Sequence, residues 1–202
     1  MKNAVLSKEQ PMSVSEYIIL FSSILIGLAV ADLSLSLHRM LRARKQIRWN
    51  LIVPTLGFVV LCSILNLWWS IYLKYSGLES ISFLEFLPQV FILVTFFLIS
   101  ASVFPDEIPQ EGLDLQDFYI ESRGQIWGLF SLFLFLMVFS ATITAIVEKW
   151  SFSKYMLNTG GDITAFALAL FLTKTKRMIF HWLMVAFFLF SIGNIWFYLM
   201  LE

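Results

Sequence analysis

Apolar residues run along this chain in long blocks separated by short polar stretches. A bilayer core of about 30 Å takes roughly 20 helical residues, and blocks of that length lie at 17–37, 51–73, 83–103, 125–147 and 178–201. A further block, 162–173, is too short alone. It crosses by recruiting 155–161 on one side while Lys174 and Lys176 snorkel on the other. The pattern predicts an all-α, polytopic transmembrane helical bundle of about six spans, one integral membrane domain over 1–202 with no soluble domain. The segment 155–173 is expected to span rather than re-enter.

Composition agrees with that pattern. Of the 202 residues, 59% are hydrophobic and 14% charged, and the mean hydropathy is +0.81; a soluble domain carries about a quarter charged residues. The bilayer is therefore the first partner. The single cysteine, Cys62, lies in an apolar run, which excludes an intramolecular disulfide and a cysteine metal cluster from this chain alone. Formal net charge is zero, and no basic domain of the nucleic-acid-binding kind is present.

The charges are segregated, and segregation sets orientation. With six spans and an outside N-terminus, Arg39, Arg42, Arg44, Lys45, Arg48, Arg123, Lys174, Lys176 and Arg177 fall inside. Lys2, Lys8, Lys74, Lys149 and Lys154 fall outside. Every arginine is thus internal, and both termini are expected outside a plasma membrane, most simply the inner membrane of a bacterium. Trp49, Trp127 and Trp182 would mark the inner interface; Tyr17, Trp68, Trp69, Tyr72, Trp150, Trp196 and Tyr198 would mark the outer one.

Helix starts are also legible. Ser13 and Glu16, after Pro11, have capping-box spacing. Asp162, after Asn158-Thr-Gly-Gly161, is placed as an N-cap or first-turn acid.

Two loops on the inner side are complementary in charge. Asp106, Glu107, Glu111, Asp114, Asp117 and Glu121 make 104–124 acidic, and Asp114, Asp117 and Glu121 share one helical face. Residues 113–120 read as an interfacial helix leading into the fourth span. Opposite stands the basic loop 39–48, with Arg39, Arg42, Arg44 and Arg48. The two are expected to dock; the alternative is two separately solvated loops, the basic one enforcing topology and meeting anionic lipid.

Asp32 breaks the first apolar block about 7–8 Å from its Leu37 end at 1.5 Å per residue. Three readings apply. Ala29-Val-Ala31 has the form of a signal-peptidase site, but the apolar run continues past it and the following cations oppose translocation, so the helix is expected to stay. Structurally, Ser23, Gly27 and Ala31 form a small-residue stripe beside Asp32 that would admit a neighbouring helix, with Arg39, Arg177 or His38 in reach of the carboxylate. Functionally, an ionisable group inside a span marks an ion path or proton relay. Asn66 with Cys62, Ser63 and Ser70, Thr95, Ser140 and Thr144, and Ser191 with Asn194 could then line a polar cavity with it.

Catalytic constellations do not emerge. Neither His38 nor His181 has a partner at helical metal-ligand spacing. Thr159-Gly-Gly-Asp162 misses the Gly-x-Gly-Asp of intramembrane aspartyl proteases, and no phosphate-binding loop or Gly-x-Ser-x-Gly occurs. The expectation is a non-enzyme without cofactor or metal.

The succession Ser15-Glu-Tyr17, Gly27-Leu-Ala-Val-Ala-Asp32, His38-Arg39 to Arg48-Trp49, then Trp68-Trp69 resembles small bacterial polytopic membrane proteins. The resemblance covers mainly the first 75 residues and implies no activity.

Two function classes follow. In one, a small channel or transporter-like protein lines an inner-side polar cavity with Asp32, Asn66 and Asn194. A chain this small often needs copies of itself or a membrane partner to enclose a pore, so a homo-oligomer or a partner protein is expected with that reading. In the other, a non-transporting interaction or scaffold protein uses the 39–48 and 106–121 loops as a docking surface.

Overall fold

The computed structural model describes residues 12–199. Lys2, Lys8, Glu9, Pro11 and positions 200–201 of the sixth expected span lie outside the described residues, as does the side chain of Tyr198. Six helices follow one another: α1 Val14–Arg42, α2 Ile52–Tyr75, α3 Phe83–Val103, α4 Leu115–Val147, α5 Phe152–Lys174 and α6 Met178–Leu199. Two short strands interrupt them, β1 Ile47–Arg48 and β2 Leu113–Asp114. Helices α1 to α5 are each long and apolar enough to cross a membrane, and α6 carries a shorter apolar stretch, Met178–Asn194. The protein is a multi-span, all-α membrane protein.

Local chemistry sets the helix ends. The Ser13 hydroxyl accepts from the Glu16 N–H at 3.2 Å while the Glu16 carboxylate accepts from the Ser13 N–H at 2.7 Å. Ser82 and Glu85 repeat this capping box at the start of α3, a signal of the same S-x-x-E form that the sequence reading passed over. At α4, Asp114 Oδ1 accepts from the N–H groups of Gln116 and Asp117.

Three expectations are corrected. Asp162 caps nothing: α5 starts at Phe152, with the Ser151 hydroxyl accepting from Lys154 N–H, and Asn158-Thr-Gly-Gly161 continues the helix. Helical bonding satisfies every backbone group where no water is available, which outweighs the glycines' preference for turns. The interfacial helix read at 113–120 begins only at Leu115, Leu113 and Asp114 forming β2, and it leads into the fourth span without a break, as the start of the 33-residue α4, roughly 50 Å long. The Ser23-Gly27-Ala31 stripe does not bring a helix backbone close at its glycine, where a Cβ would meet nothing within 4 Å; Ser23 instead meets a long side chain of α2, its Oγ accepting from Trp68 Nε1 at 3.1 Å. The face of α1 that packs is the adjacent one, with Ile18, Ser22, Ala29, Leu33 and Met40 buried.

α2 is the central helix. Half of its most apolar stretch is buried inside the bundle, against 17% for α4, and Ile52, Val53, Leu56, Val59 and Val60 are fully enclosed. Leu20, Ile24, Leu28 and Leu35 of α1 and their counterparts elsewhere face outward, as a lipid-exposed surface requires.

Each end of the bundle is tied by polar contacts. At one end Ser15 Oγ donates to the Tyr75 carbonyl at 2.7 Å, and Phe86 packs edge-on against Phe21 and Tyr75, gathering α1, α2 and α3. Trp68, Trp69 and Tyr72 cluster on α2 near this end. The other end carries β1, β2 and residues 39–48. Here Trp49 and Trp182 are exposed, as interface residues are, but Trp127 is completely buried in the core.

Candidate functional site

At the basic end, β1 and β2 pair in parallel, Ile47 opposite Leu113 and Arg48 opposite Asp114. The Leu113 N–H donates to the Gln46 carbonyl at 2.9 Å. Gly112 makes that approach possible. Its φ of +101° is costly for a side-chain-bearing residue, and a Cβ would stand 2.8 Å from the Gln46 oxygen. Arg48 Nη1 and Asp114 Oδ2 are 3.1 Å apart, and Asn50 Nδ2 donates to Gln116 Oε1 at 3.1 Å.

Arg39 closes the other side of this platform. Its Nη1 donates to the Asp106 carbonyl at 2.8 Å and its Nη2 to Ser36 Oγ at 3.2 Å. Between these clasps lies a cleft of about 820 Å³, whose walls include Arg39, Arg42, Arg44, Lys45, Asp106 and Glu107. The structure thus brings Arg39, Arg48 and Asp114 into direct contact with the facing loop and sets Arg42 and Arg44 in the cleft wall. Asp117 and Glu121 are exposed on α4 and join no ion pair among the described residues.

The intramembrane candidates are not brought together. Asp32 is half-buried, with Oδ2 enclosed and without a hydrogen-bond partner among the described residues; neither Arg39 nor Arg177 pairs with it. Asn66 is half-buried, its carbonyl accepting from Ser70 Oγ, and Asn194 is exposed. None of the described cavities has Asp32, Asn66 or Asn194 in its wall.

A cavity with polar groups set in a largely apolar wall lies at the opposite end, away from Asp32, Asn66 and Asn194. Two chambers of about 470 and 180 Å³ lie among α2, α3 and α4 and share Lys74, Gln89, Ser140 and Thr144. Ser70 lines the inner chamber, so three hydroxyl residues singled out in the sequence meet here. Lys74 and Gln89 were missed, Lys74 because a cation at a span end reads as a topology marker. Gln89 left one signal, an amide inside an apolar block.

A second missed constellation is the polar core at the basic end. Trp127 Nε1 donates to Tyr119 Oη at 2.9 Å, Tyr119 Oη lies 2.7 Å from His181 Nδ1, and His181 Nε2 lies 3.1 Å from the Thr175 carbonyl. With a neutral His181 protonated at Nε2, each donor in the chain has an acceptor: indole to phenol, phenol to Nδ1, Nε2–H to carbonyl. Every polar group of the network has a partner, and it joins the N-terminal parts of α4 and α6. Its members are two aromatic residues and one histidine, Tyr119 in the acidic segment 104–124 and Trp127 and His181 in apolar blocks, so no spacing rule announces it.

No protein-family model matches the chain, and no curated protein or solved structure is similar to it. The resemblance of its first 75 residues to small bacterial membrane proteins gains no family or homologue from these comparisons.

Proposed function

We propose that the chain is a non-catalytic, non-transporting interaction protein of a plasma membrane, which presents the basic cleft at its cytoplasmic side to an acidic segment of a partner protein. Both termini then lie outside. The observation that carries this reading is the clasp between loops: strand pairing, the Arg48–Asp114 ion pair and the Arg39–Asp106 contact hold the two loops as one surface. A surface held in place before binding loses less ordering entropy on association. Arg42, Arg44 and Lys45 remain around the cleft to meet anionic groups.

The channel reading has less support. It needs a polar path past Asp32, and what speaks against it is that none of the described cavities is lined by Asp32, Asn66 or Asn194 and that the cavities at the two ends share no lining residue.

The test is titration of the full-length protein, in nanodiscs of neutral phosphatidylcholine, with a fluorescent hexaglutamate peptide. Salt-sensitive binding that falls about tenfold or more in the triple variant Arg42→Glu, Arg44→Glu, Lys45→Glu is expected, since tenfold is about 1.4 kcal/mol. Equal binding by wild type and variant contradicts the proposal.

A further inference from the structure

The cavity among α2, α3 and α4 is built for a ligand of its own. Gln89 is only 7% exposed, and its Nε2 has no hydrogen-bond partner among the described residues. A buried amide N–H without an acceptor is destabilising, and Gln89 lines both chambers. Lys74 lines both as well. Its ammonium lies 5.1 Å from the Tyr75 ring centre and pairs with no carboxylate among the described residues. Donor-bearing side chains from α2 and α3 therefore line the same cavity, the kind of group an oxyanion pairs with.

Acceptors converge on the outer chamber. Glu85 lines it; one of its oxygens takes the Ser82 N–H at 2.9 Å, and its charge is balanced by no cation within ion-pair distance among the described residues. Pro88, one turn on, lacks the N–H that the Leu84 carbonyl would otherwise accept, and Leu84 and Pro88 both line this chamber. A cavity with an unpaired cation and an unpaired carboxylate on separate walls is complementary to a zwitterion. Leu78, Ile81 and Ile143 supply an apolar wall beside these groups.

We propose that this cavity binds a zwitterion on an apolar stem, its oxyanion held by Lys74 and Gln89 and its amine by Glu85 and the Leu84 carbonyl. Two sources share that chemistry: the headgroup of a phosphatidylethanolamine in the adjoining leaflet, and a free apolar amino acid entering from water. The proposal is independent of the basic cleft, which lies at the other end of the bundle.

The experiment is native mass spectrometry and calorimetric titration of the full-length protein with two probes, lyso-phosphatidylethanolamine and leucine, beside lyso-phosphatidylglycerol as an anion without an amine. Saturable binding of either zwitterion, about tenfold or more weaker in Lys74→Gln and in Gln89→Leu, is expected; whichever probe binds identifies the source. Glu85→Gln keeps a capping-box acceptor at α3 and should lower the preference for the zwitterion over phosphatidylglycerol. Gln89→Leu removes the orphan amide, so the ligand-free variant should unfold at or above the wild-type temperature, which separates lost binding from lost fold. Binding of neither zwitterion, or binding that both Lys74→Gln and Gln89→Leu leave unchanged, overturns the proposal.

Discussion

Arg48 and Asp114 are paired twice, as opposite residues on the β1–β2 ladder and through a 3.1 Å contact between Nη1 and Oδ2. The arginine side chain is 86% exposed and the aspartate 23%, so the ion pair itself contributes only ~0–1 kcal/mol. Asp114 does more through its other oxygen, which caps α4. Removing the cap costs about 1 kcal/mol. Arg48→Ala should therefore barely shift thermal unfolding, Asp114→Ala should lower it clearly, and Asp114→Asn, which keeps a capping oxygen, should fall close to Arg48→Ala. Equal losses for both alanine variants would show that the cap is not what Asp114 supplies.

Tyr119→Phe tests the saturated core. It deletes one oxygen and strands two buried groups, the Trp127 indole N–H and His181 Nδ1. Leaving buried polar groups unsatisfied costs about 1–3 kcal/mol each. Stability measured in mild detergent should fall by about 2–6 kcal/mol for the two groups together, and a change near zero would mean that the network does not hold α4 to α6.

Gly57 is a close-packing position at the basic end. A Cβ there would collide with the ring of Phe104, which is itself buried in the core. Gly57→Ala should destabilise by about 1–3 kcal/mol through overpacking, whereas Gly27→Ala, facing open space, should leave stability unchanged or raise it slightly. Thermal unfolding of the pair checks the assignment of the α1 packing face.

Asp32→Asn separates the two function classes. The enclosed, unpartnered Oδ2 makes the carboxylate a burden rather than a brace, so the variant should be at least as stable as wild type. It should also bind hexaglutamate equally. Ion flux into proteoliposomes that is present in wild type and lost in Asp32→Asn would instead support a pathway.

Membrane class, helix positions and the first capping box were legible because block length, hydropathy and short-range spacing are properties of contiguous residues. Segregated cations and acids likewise marked the two loops that meet at the basic end. What they concealed was the means of meeting. A parallel strand pair depends on Gly112 adopting a positive φ against Gln46, and nothing in a charge pattern encodes that. Asp162 misled for the opposite reason: a local turn signal yielded to the helical bonding that a membrane demands. The cavity among α2, α3 and α4 was not the inner-side one expected around Asp32; three of its hydroxyls were singled out in the sequence, yet Lys74 and Gln89 come to one cavity only through the packing of α2 on α3.

The two loops acting as one surface is the central claim, and Gly112→Ala tests it most directly. Alanine at φ +101° is strained, and its Cβ would press on the Gln46 carbonyl, so β1 and β2 should part while every cation of the cleft stays in the chain. The measurement is hexaglutamate affinity in phosphatidylcholine nanodiscs, beside a circular dichroism spectrum showing the helices intact. The account predicts affinity about tenfold weaker with helicity unchanged, as expected when a pre-ordered surface is released. Wild-type affinity in Gly112→Ala would contradict it.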